Sequence, residues 1–334
     1  MFGIAKILLF FILTKFLYFC TLKVLLMKII NIEDINILDR ETMVTVGMFD
    51  GLHLGHRHLL ATLSEQSKKR DLTPIVVTFD RHPRQVLHPE SPMQLLSTAG
   101  ERMQMLADFG VETVAMVNFD VEAASMSACR FAENYLCSRL AMKTLLLGYD
   151  NSFGSKTNDD FARLPEVAER HGFDILHDSA VYVNGVDVSS TKIRRALLHG
   201  DIEAANAMLG YPYRFSGHVV HGRHIGTGLG FPTANLVSDD RNKLLPANGV
   251  YALRAMVDGV TWPAMANLGL QPTFDGHQSA FEVHLIGFDK DLYGRQITVE
   301  FVGRIRDIKP FSSPMELKAQ LMKDSVDAMN MTKK

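Results

Sequence analysis

The sequence predicts an N-terminal α/β unit built on a doubly wound parallel sheet, followed by a small antiparallel β-barrel and a C-terminal helix. Three observations predict it. From Thr42 to Tyr149, short apolar runs alternate with segments of helical spacing, the order of a parallel sheet with crossover helices. From Phe215 to Ile308, only short β-like runs occur, separated at close spacing by Gly, Asp and Pro turns, as in a compact barrel. A length of 334 residues, at roughly 150 per domain, amounts to about two domains. The expected boundaries are 28–208 and 209–334, with residues 1–27 an extension outside both.

That extension, MFGIAKILLFFILTKFLYFCTLKVLLM, has Lys6, Lys15 and Lys23 as its only charges, and its longest uncharged run is Ile7 to Thr14. A Lys near the middle of a spanning helix costs about 2.5–3.5 kcal/mol, which a dozen Leu, Ile and Phe could offset. No small-x-small cleavage site follows. Three readings stand: a start mis-assigned upstream of Met27, a membrane-associated extension, or a signal segment. Membrane association is expected only if the extension is real.

Within the first domain, TMVTVGMF (42–49) reads as a strand, a tight Gly/His turn follows, and RHLLATLSEQSKKR is helical. TPIVVTF (73–79) is the next strand. The Thr98-Ala99-Gly100-Glu101 capping-box signal opens another helix. VETVAMVNF (111–119) reads as a strand, Ala128 to Leu140 as a helix, and KTLLLGY (143–149) as a buried parallel strand. In the second domain, Trp262 before Pro263 is expected in a turn, and Ser312-Ser313-Pro314 starts the final helix.

Composition excludes several classes. With 35 Lys+Arg against 37 Asp+Glu, the net charge is -2, which gives no electrostatic reason to expect nucleic acid. The charged fraction of 22% and hydrophobic fraction of 47% argue against global disorder. Cys20, Cys129 and Cys137 are odd in number and form no CxxC pair, so a disulfide framework and a thiolate zinc site are both disfavoured, and a reducing, cytoplasmic compartment is expected. No obligatory protein partner is expected.

The first candidate site is Gly47-Met48-Phe49-Asp50-Gly51-Leu52-His53-Leu54-Gly55-His56, where a strand passes into a helix. In an open α/β sheet this crevice, beside unsatisfied helix N–H groups, suits phosphate. Gly51 and Gly55 would let the backbone approach closely, and His53 and His56 could donate to charge developing on an α-phosphate and its pyrophosphate leaving group. Ser189-Ser190-Thr191, with Arg194 one turn on, could form a second phosphate cradle. Alone, each is open to a blander reading as surface histidines and a helix cap.

The whole string, GxFDGxHxGH, resembles the signature of the nucleotidyltransferase superfamily (Rossmann-like, HxGH) that includes the FMN adenylyltransferase half of bacterial FAD synthetases. The likeness continues in order: Phe79-Asp80-Arg81-His82-Pro83 resembles F-x-P-H-P, with Arg81 for the first proline; Gly148-Tyr149-Asp150-Asn151-Ser152-Phe153-Gly154 resembles G-x-D-F-x-F-G, with Asn151 for an aromatic; and Ser189 to Arg194 matches S-S-T-x-I-R. The resemblance implies nucleotide and flavin contacts at Gly47, Phe49, Asp50, Gly51, Gly55, His82, Asp150, Ser189, Ser190, Thr191 and Arg194, with His53 and His56 catalytic.

The second candidate site is Gly222 to Asn235, a glycine-rich loop with neither a Gly-Lys-Ser/Thr nor a long helix after it. Backbone N–H groups there could hold ATP phosphates, while Thr233 and Asn235 offer hard oxygens to Mg²⁺. It resembles the G-x-PTAN motif of riboflavin kinases. That resemblance implies binding contacts at Gly222, Gly230, Pro232 and Arg306, and a carboxylate base, matched here by Glu282 in Phe281-Glu282-Val283-His284. Strand alternation points Glu282 away from Phe281 and Val283. Together the likenesses, over about residues 28–328, are to bifunctional riboflavin kinase/FAD synthetases. They imply ATP, riboflavin and FMN as small-molecule partners, Mg²⁺ with ATP, and FMN and FAD as products. Two alternatives remain: a riboflavin kinase whose first domain is inactive or acts on another substrate, and a membrane-held flavin-sensing protein.

Overall fold

The computed structural model describes Val24 and residues 26–88, 90, 93–149, 153, 159–221, 227–273 and 276–333; Asp150, Asn151, Gly222 and most of the N-terminal extension lie outside the described residues. By contacts the described chain divides into two compact units between Ser189 and Ser190.

In the first unit, β1 (Lys28–Asn31), β2 (Thr42–Val46), β3 (Thr73–Phe79), β4 (Thr113–Val117), β5 (Met142–Leu147) and β6 (Asp174–His177) form a parallel sheet in the order β1-β4-β3-β2-β5-β6. Its helices are α1 (Leu54–Lys69), α2 (Pro83–Leu87), α3 (Ala99–Phe109), α4 (Val121–Ser125), α5 (Ala128–Phe131), α6 (Ser138–Leu140) and α7 (Leu164–His171). The central strands are mostly apolar, with buried threonines at Thr42, Thr45, Thr78 and Thr144, because each buries both faces. Met43, Val76, Val114 and Leu146 face one side, under Leu59, Leu60 and Leu63 of α1 and Leu106 of α3. Their neighbours Val44, Val46, Ile75, Val77, Ala115, Val117, Leu145 and Leu147 face the other, under Phe131, Leu136, Leu140 and the α7 residues Leu164, Val167 and Ala168. Helices on both faces make the sheet doubly wound, as the sequence predicts.

The helix expected over 128–140 is interrupted: a π-helical stretch, Ala132–Cys137, joins α5 to α6. Phe131 and Leu136, five residues apart, are both buried in the same cluster, and the wider π turn keeps them on one face where 3.6 residues per turn would separate them. Ala141, left-handed at φ 48°, ends the helix. Between α7 and the second unit, β7 (Tyr182–Val183) and β8 (Val186–Asp187) form a hairpin across Asn184-Gly185.

The second unit begins with α8 (Ser190–Leu198) and α9 (Ile202–Leu209). Asn206 stitches α9 to the barrel: its carboxamide donates to the Phe301 carbonyl at 2.9 Å and accepts from the Tyr213 amide at 2.8 Å. Strands β9 (Tyr213–Val220), β10 (Ala234–Val237), β11 (Gly249–Val257), β12 (Val260–Thr273), β13 (Gly276–Leu285) and β14 (Gln296–Arg306) close into an antiparallel barrel in the order β10-β13-β12-β11-β14-β9. Closure removes the exposed strand edges. Inside, Phe281 stacks on Phe301 at 5.7 Å, with Phe215 and Tyr251 edge-on to them. Trp262 and Pro263 are not in a turn. Asp258 (φ 51°) and Gly259 (φ 76°) have already reversed the chain as a two-residue hairpin loop, so Trp262 pairs with Ala255 inside β12 and packs against Phe288 at 5.3 Å. The last helix, α10 (Pro314–Thr332), starts where the sequence predicts, with Pro314 in its first turn and the Ser313 hydroxyl accepting from the Glu316 amide. It lays Leu321, Ala328 and Met331 over Ala252 and Met265 on the outer face of the barrel. No described helix is long and apolar enough to cross a membrane.

Cys137 is half-buried beside Glu133, and burial, aided by that carboxylate, pushes its thiol up to about 11. Only about one molecule in a thousand is then thiolate at pH 8, against roughly one in four for an ordinary thiol. Cys137 is expected to react with iodoacetamide on the order of a hundredfold more slowly than a model thiol at pH 8; mass spectrometry of the 128–140 peptide checks it, and reaction at the model rate would show that the thiol is not shielded.

Candidate active sites

In the first unit the chain runs from β2 to β3 and β4 on one side and then crosses to β5 and β6 on the other, so the sheet order reverses between β2 and β5. Crevices at such reversals, beyond the C-terminal ends of the strands, are where open α/β sheets bind ligands. The 47–56 loop starts at the end of β2. The Gly47 amide donates to the Val77 carbonyl at 3.0 Å, prolonging the ladder by one step. Phe49 and Leu52 then adopt left-handed backbone, at φ 52° and 33°, with Gly51 between them at 78°. Such conformations cost about 1–2 kcal/mol each outside glycine, and complete burial of Phe49 and Leu52 in the core offsets this.

Asp50, 2% exposed, fixes the loop to the segment before α3. One of its oxygens accepts from the Ser97 amide at 2.8 Å and the Ser97 hydroxyl at 3.0 Å, the other from the Leu96 amide at 3.0 Å. Ser97 Oγ in turn accepts from the Gly51 amide at 3.0 Å. His53 is the N-cap of α1: its Nδ1 accepts from the His56 amide at 3.3 Å, which leaves the neutral ring's proton on Nε2. The His53 and His56 rings stack at 3.6 Å, and Phe49 meets His56 edge-on at 5.2 Å. Gly55 leaves room for this stack: a Cβ there would stand 3.2 Å from the His53 ring, which would have to shift by a few tenths of an ångström, and 3.6 Å from the Val188 carbonyl. Val188 thus brings the neighbouring Ser189 toward the same loop, while Ser190, Thr191 and Arg194 lie on the first turns of α8.

The loop after β3 repeats the device. His82 caps α2, its Nδ1 accepting from the Arg84 amide at 3.1 Å while its own amide donates to Gln85 at 3.1 Å. With Arg81 exposed where the family has proline, Asp80 holds this loop instead, accepting from the Phe119 amide at 2.7 Å and the Arg81 amide at 2.8 Å.

In the barrel, cross-strand pairing sets Glu282 opposite Asn235 on β10 and opposite Asn267 on β12. Phe281, Val283 and Leu285 are buried inside, so Glu282 and His284 face outward with Asn235, and Thr233 precedes Asn235 by one strand repeat. Thr233, Asn267, Glu282, Arg306 and Asp324 line a cavity of about 320 Å³ with apolar walls that include Phe231, Met265, Phe311 and Leu321. The Pro232 carbonyl accepts from His284 Nδ1 at 2.7 Å, pinning the PTAN segment to β13, and Gly230 turns the chain into it at φ 86°.

Comparison with known proteins finds two family models on the chain. The FAD synthetase family model matches residues 36–192 and the riboflavin kinase model residues 209–332. Curated relatives include the bifunctional riboflavin kinase/FMN adenylyltransferases of Escherichia coli, 38% identical over 287 residues covering 86% of this chain and 91% of the relative, and of Haemophilus influenzae, 35% identical with coverages of 84% and 91%. The chain belongs to the bifunctional riboflavin kinase/FMN adenylyltransferase family. Both domains are present in one chain, so the kinase-only alternative is not favoured. A solved structure described as a macrolide-efflux protein from Streptococcus pneumoniae is 33% identical, with a TM-score of 0.81 over 91% of this chain and 99% of its own.

Two residues in these family sites, Arg102 and Asp324, escaped the motif reading. Arg102 lies on the apolar face of α3, four residues before Leu106, and is 1% exposed; a cation inside an apolar stripe was the available signal. Its guanidinium donates to the Phe79 carbonyl at 2.7 Å, and burial lowers its pKa while Asp50 and Asp80 oppose the shift. Asp324, fully buried on α10, accepts from Arg306 Nε at 3.0 Å and from its Nη2 at 2.7 Å, so Arg306 reaches the cavity already held in a forked ion pair. His284 was visible inside the motif, but its bond to Pro232 depends on strand pairing that no local pattern encodes.

Gly55→Ala is expected to displace the His53 ring and lower FMN adenylylation on the order of a hundredfold, with FMN formation from riboflavin unchanged. Steady-state assay of each half-reaction checks it, and an unaffected adenylylation rate would show that the His53 position is not used.

Proposed function

We propose that the cavity on the barrel phosphorylates riboflavin and that the crevice at the β2/β5 reversal adenylylates the resulting FMN. In the barrel, Glu282 takes the proton of the ribityl 5′-hydroxyl as that oxygen attacks the γ-phosphorus of ATP, and ADP leaves. The observation that carries this assignment is the Asn235–Glu282–Asn267 row beside Thr233: one carboxylate among neutral hydrogen-bonding side chains at the mouth of a flavin-sized apolar cavity. The Thr233 hydroxyl and Asn235 carboxamide are hard oxygen donors next to that carboxylate, a set that fits Mg²⁺ with ATP. Bound there, Mg²⁺ would neutralise charge between the β- and γ-phosphates. Gly222, Gly230 and Pro232 form the phosphate loop, and Arg306, held by Asp324 with Phe311 at 5.7 Å, shapes the flavin side.

In the first unit, an FMN phosphate oxygen attacks the α-phosphorus of ATP and pyrophosphate leaves. His53 and His82 each use Nδ1 as a cap acceptor, which places the neutral ring's proton on Nε2, the atom that donates to this negative charge during transfer, and His56 supports His53 by stacking. Gly47, Gly51 and Gly55 shape the backbone for the phosphates, and Phe49 and Asp50 hold that backbone from beneath. Asp150 acts on the flavin side of this site, and Ser189, Ser190, Thr191 and Arg194 take the remaining phosphate charge. The substrates are small molecules, and a reducing cytoplasm suits a chain whose three cysteines form no CxxC pair.

Glu282→Ala should lower FMN formation by about 10²–10⁴-fold and leave adenylylation of supplied FMN nearly intact. The double variant His53→Ala/His56→Ala should do the reverse, lowering FAD formation at least about a hundredfold. Chromatographic separation of flavins from each reaction tests both, and proportional loss of the two activities in either variant would sink the two-site assignment.

A further inference from the structure

We infer that Arg102 is a positioning residue for adenylyl transfer, the buried cation that locks the 47–56 loop and the 79–83 loop into one phosphate-binding surface. It belongs to none of the motif strings. Its Nη2 donates to the carbonyl of Phe79, the last residue of β3, and its Nη1 lies 3.9 Å from the sulfur of Met48, two residues past the end of β2. One planar group therefore touches the roots of the two loops that carry His53 and His82.

A packing role alone does not account for it. The site is 1% exposed and belongs to the apolar stripe of α3, where leucine would bury without desolvating a charge. The guanidinium is not even fully satisfied, since its buried Nε has no hydrogen-bond partner among the described residues. The charges facing it are Asp50, beneath the first loop, and Asp80, beneath the second, and both attract it. Each carboxylate is also the acceptor that holds its own loop, Asp50 through Leu96 and Ser97 and Asp80 through Phe119. Arg102 thus offsets the buried negative charge of Asp50 and the partly exposed one of Asp80, which would otherwise oppose a polyphosphate in the crevice above them. Lysine keeps the charge but presents a single point that cannot serve both loops.

This inference rests on the assignment of adenylyl transfer to the β2/β5 crevice, which wild-type conversion of FMN to FAD tests separately. The full-length variants Arg102→Lys and Arg102→Gln would be assayed for both half-reactions far below their melting temperatures. The expected result is a 10- to 100-fold fall in kcat for FMN adenylylation in the lysine variant, a larger fall in the glutamine variant, and unchanged FMN formation. Wild-type kcat in the lysine variant, or a loss that vanishes on cooling, would overturn the proposal. So would failure of the first unit to fold in both variants while the barrel remains active, because Arg102 would then be needed for folding alone.

Discussion

Where parallel strands end, backbone N–H and C=O groups run out of ladder partners, and in the first unit side-chain caps hold the loops that follow those ends. His53 caps α1, His82 caps α2, Thr98 caps α3 through a box with Glu101, and Asp120 caps α4. An ordinary cap is Ser, Thr, Asp or Asn. Using histidine for the two caps nearest the β2 and β3 ends satisfies the same backbone need with Nδ1 of the ring. Buried Asp50 and Arg102 then fix the loops to each other, which is why side chains without surface exposure matter to a surface reaction.

The barrel solves a different problem with the same economy. Closure gives every strand two partners, so alternation sorts side chains strictly into an aromatic interior around Phe301 and an outward face. Across β10, β13 and β12, the outward positions bring Asn235, Glu282 and Asn267 into one row. Those residues are 47 and 15 positions from Glu282 in sequence, and only the register joins them. Helix α10 roofs the apolar side of the cavity and contributes Asp324, whose pairing with Arg306 is a buried ion pair; removing one partner of such a pair costs about 3–5 kcal/mol.

Much of this was legible in the sequence. The strand run 73–79, the Thr98–Glu101 capping box and the start of α10 follow from local pattern because local bonds determine them. The motif strings pointed to both family domains. Three things were not legible. The π stretch at Ala132–Cys137 answers to tertiary packing of Phe131 and Leu136 on one cluster. Trp262 looked like a turn residue beside Pro263, but Asp258-Gly259 had already made the turn. Arg102 and Asp324 are single charges in apolar helices, and their partners are 23 and 18 residues away, beyond any local spacing rule.

The central claim is that one chain holds two working sites that act in succession on one flavin. The most direct test is to incubate the purified full-length protein with riboflavin, ATP and Mg²⁺ and to follow the flavins by chromatography over time. FMN is expected to appear first and then to be converted to FAD with release of pyrophosphate. Accumulation of FMN with no FAD, even when FMN and ATP are supplied directly, would contradict it.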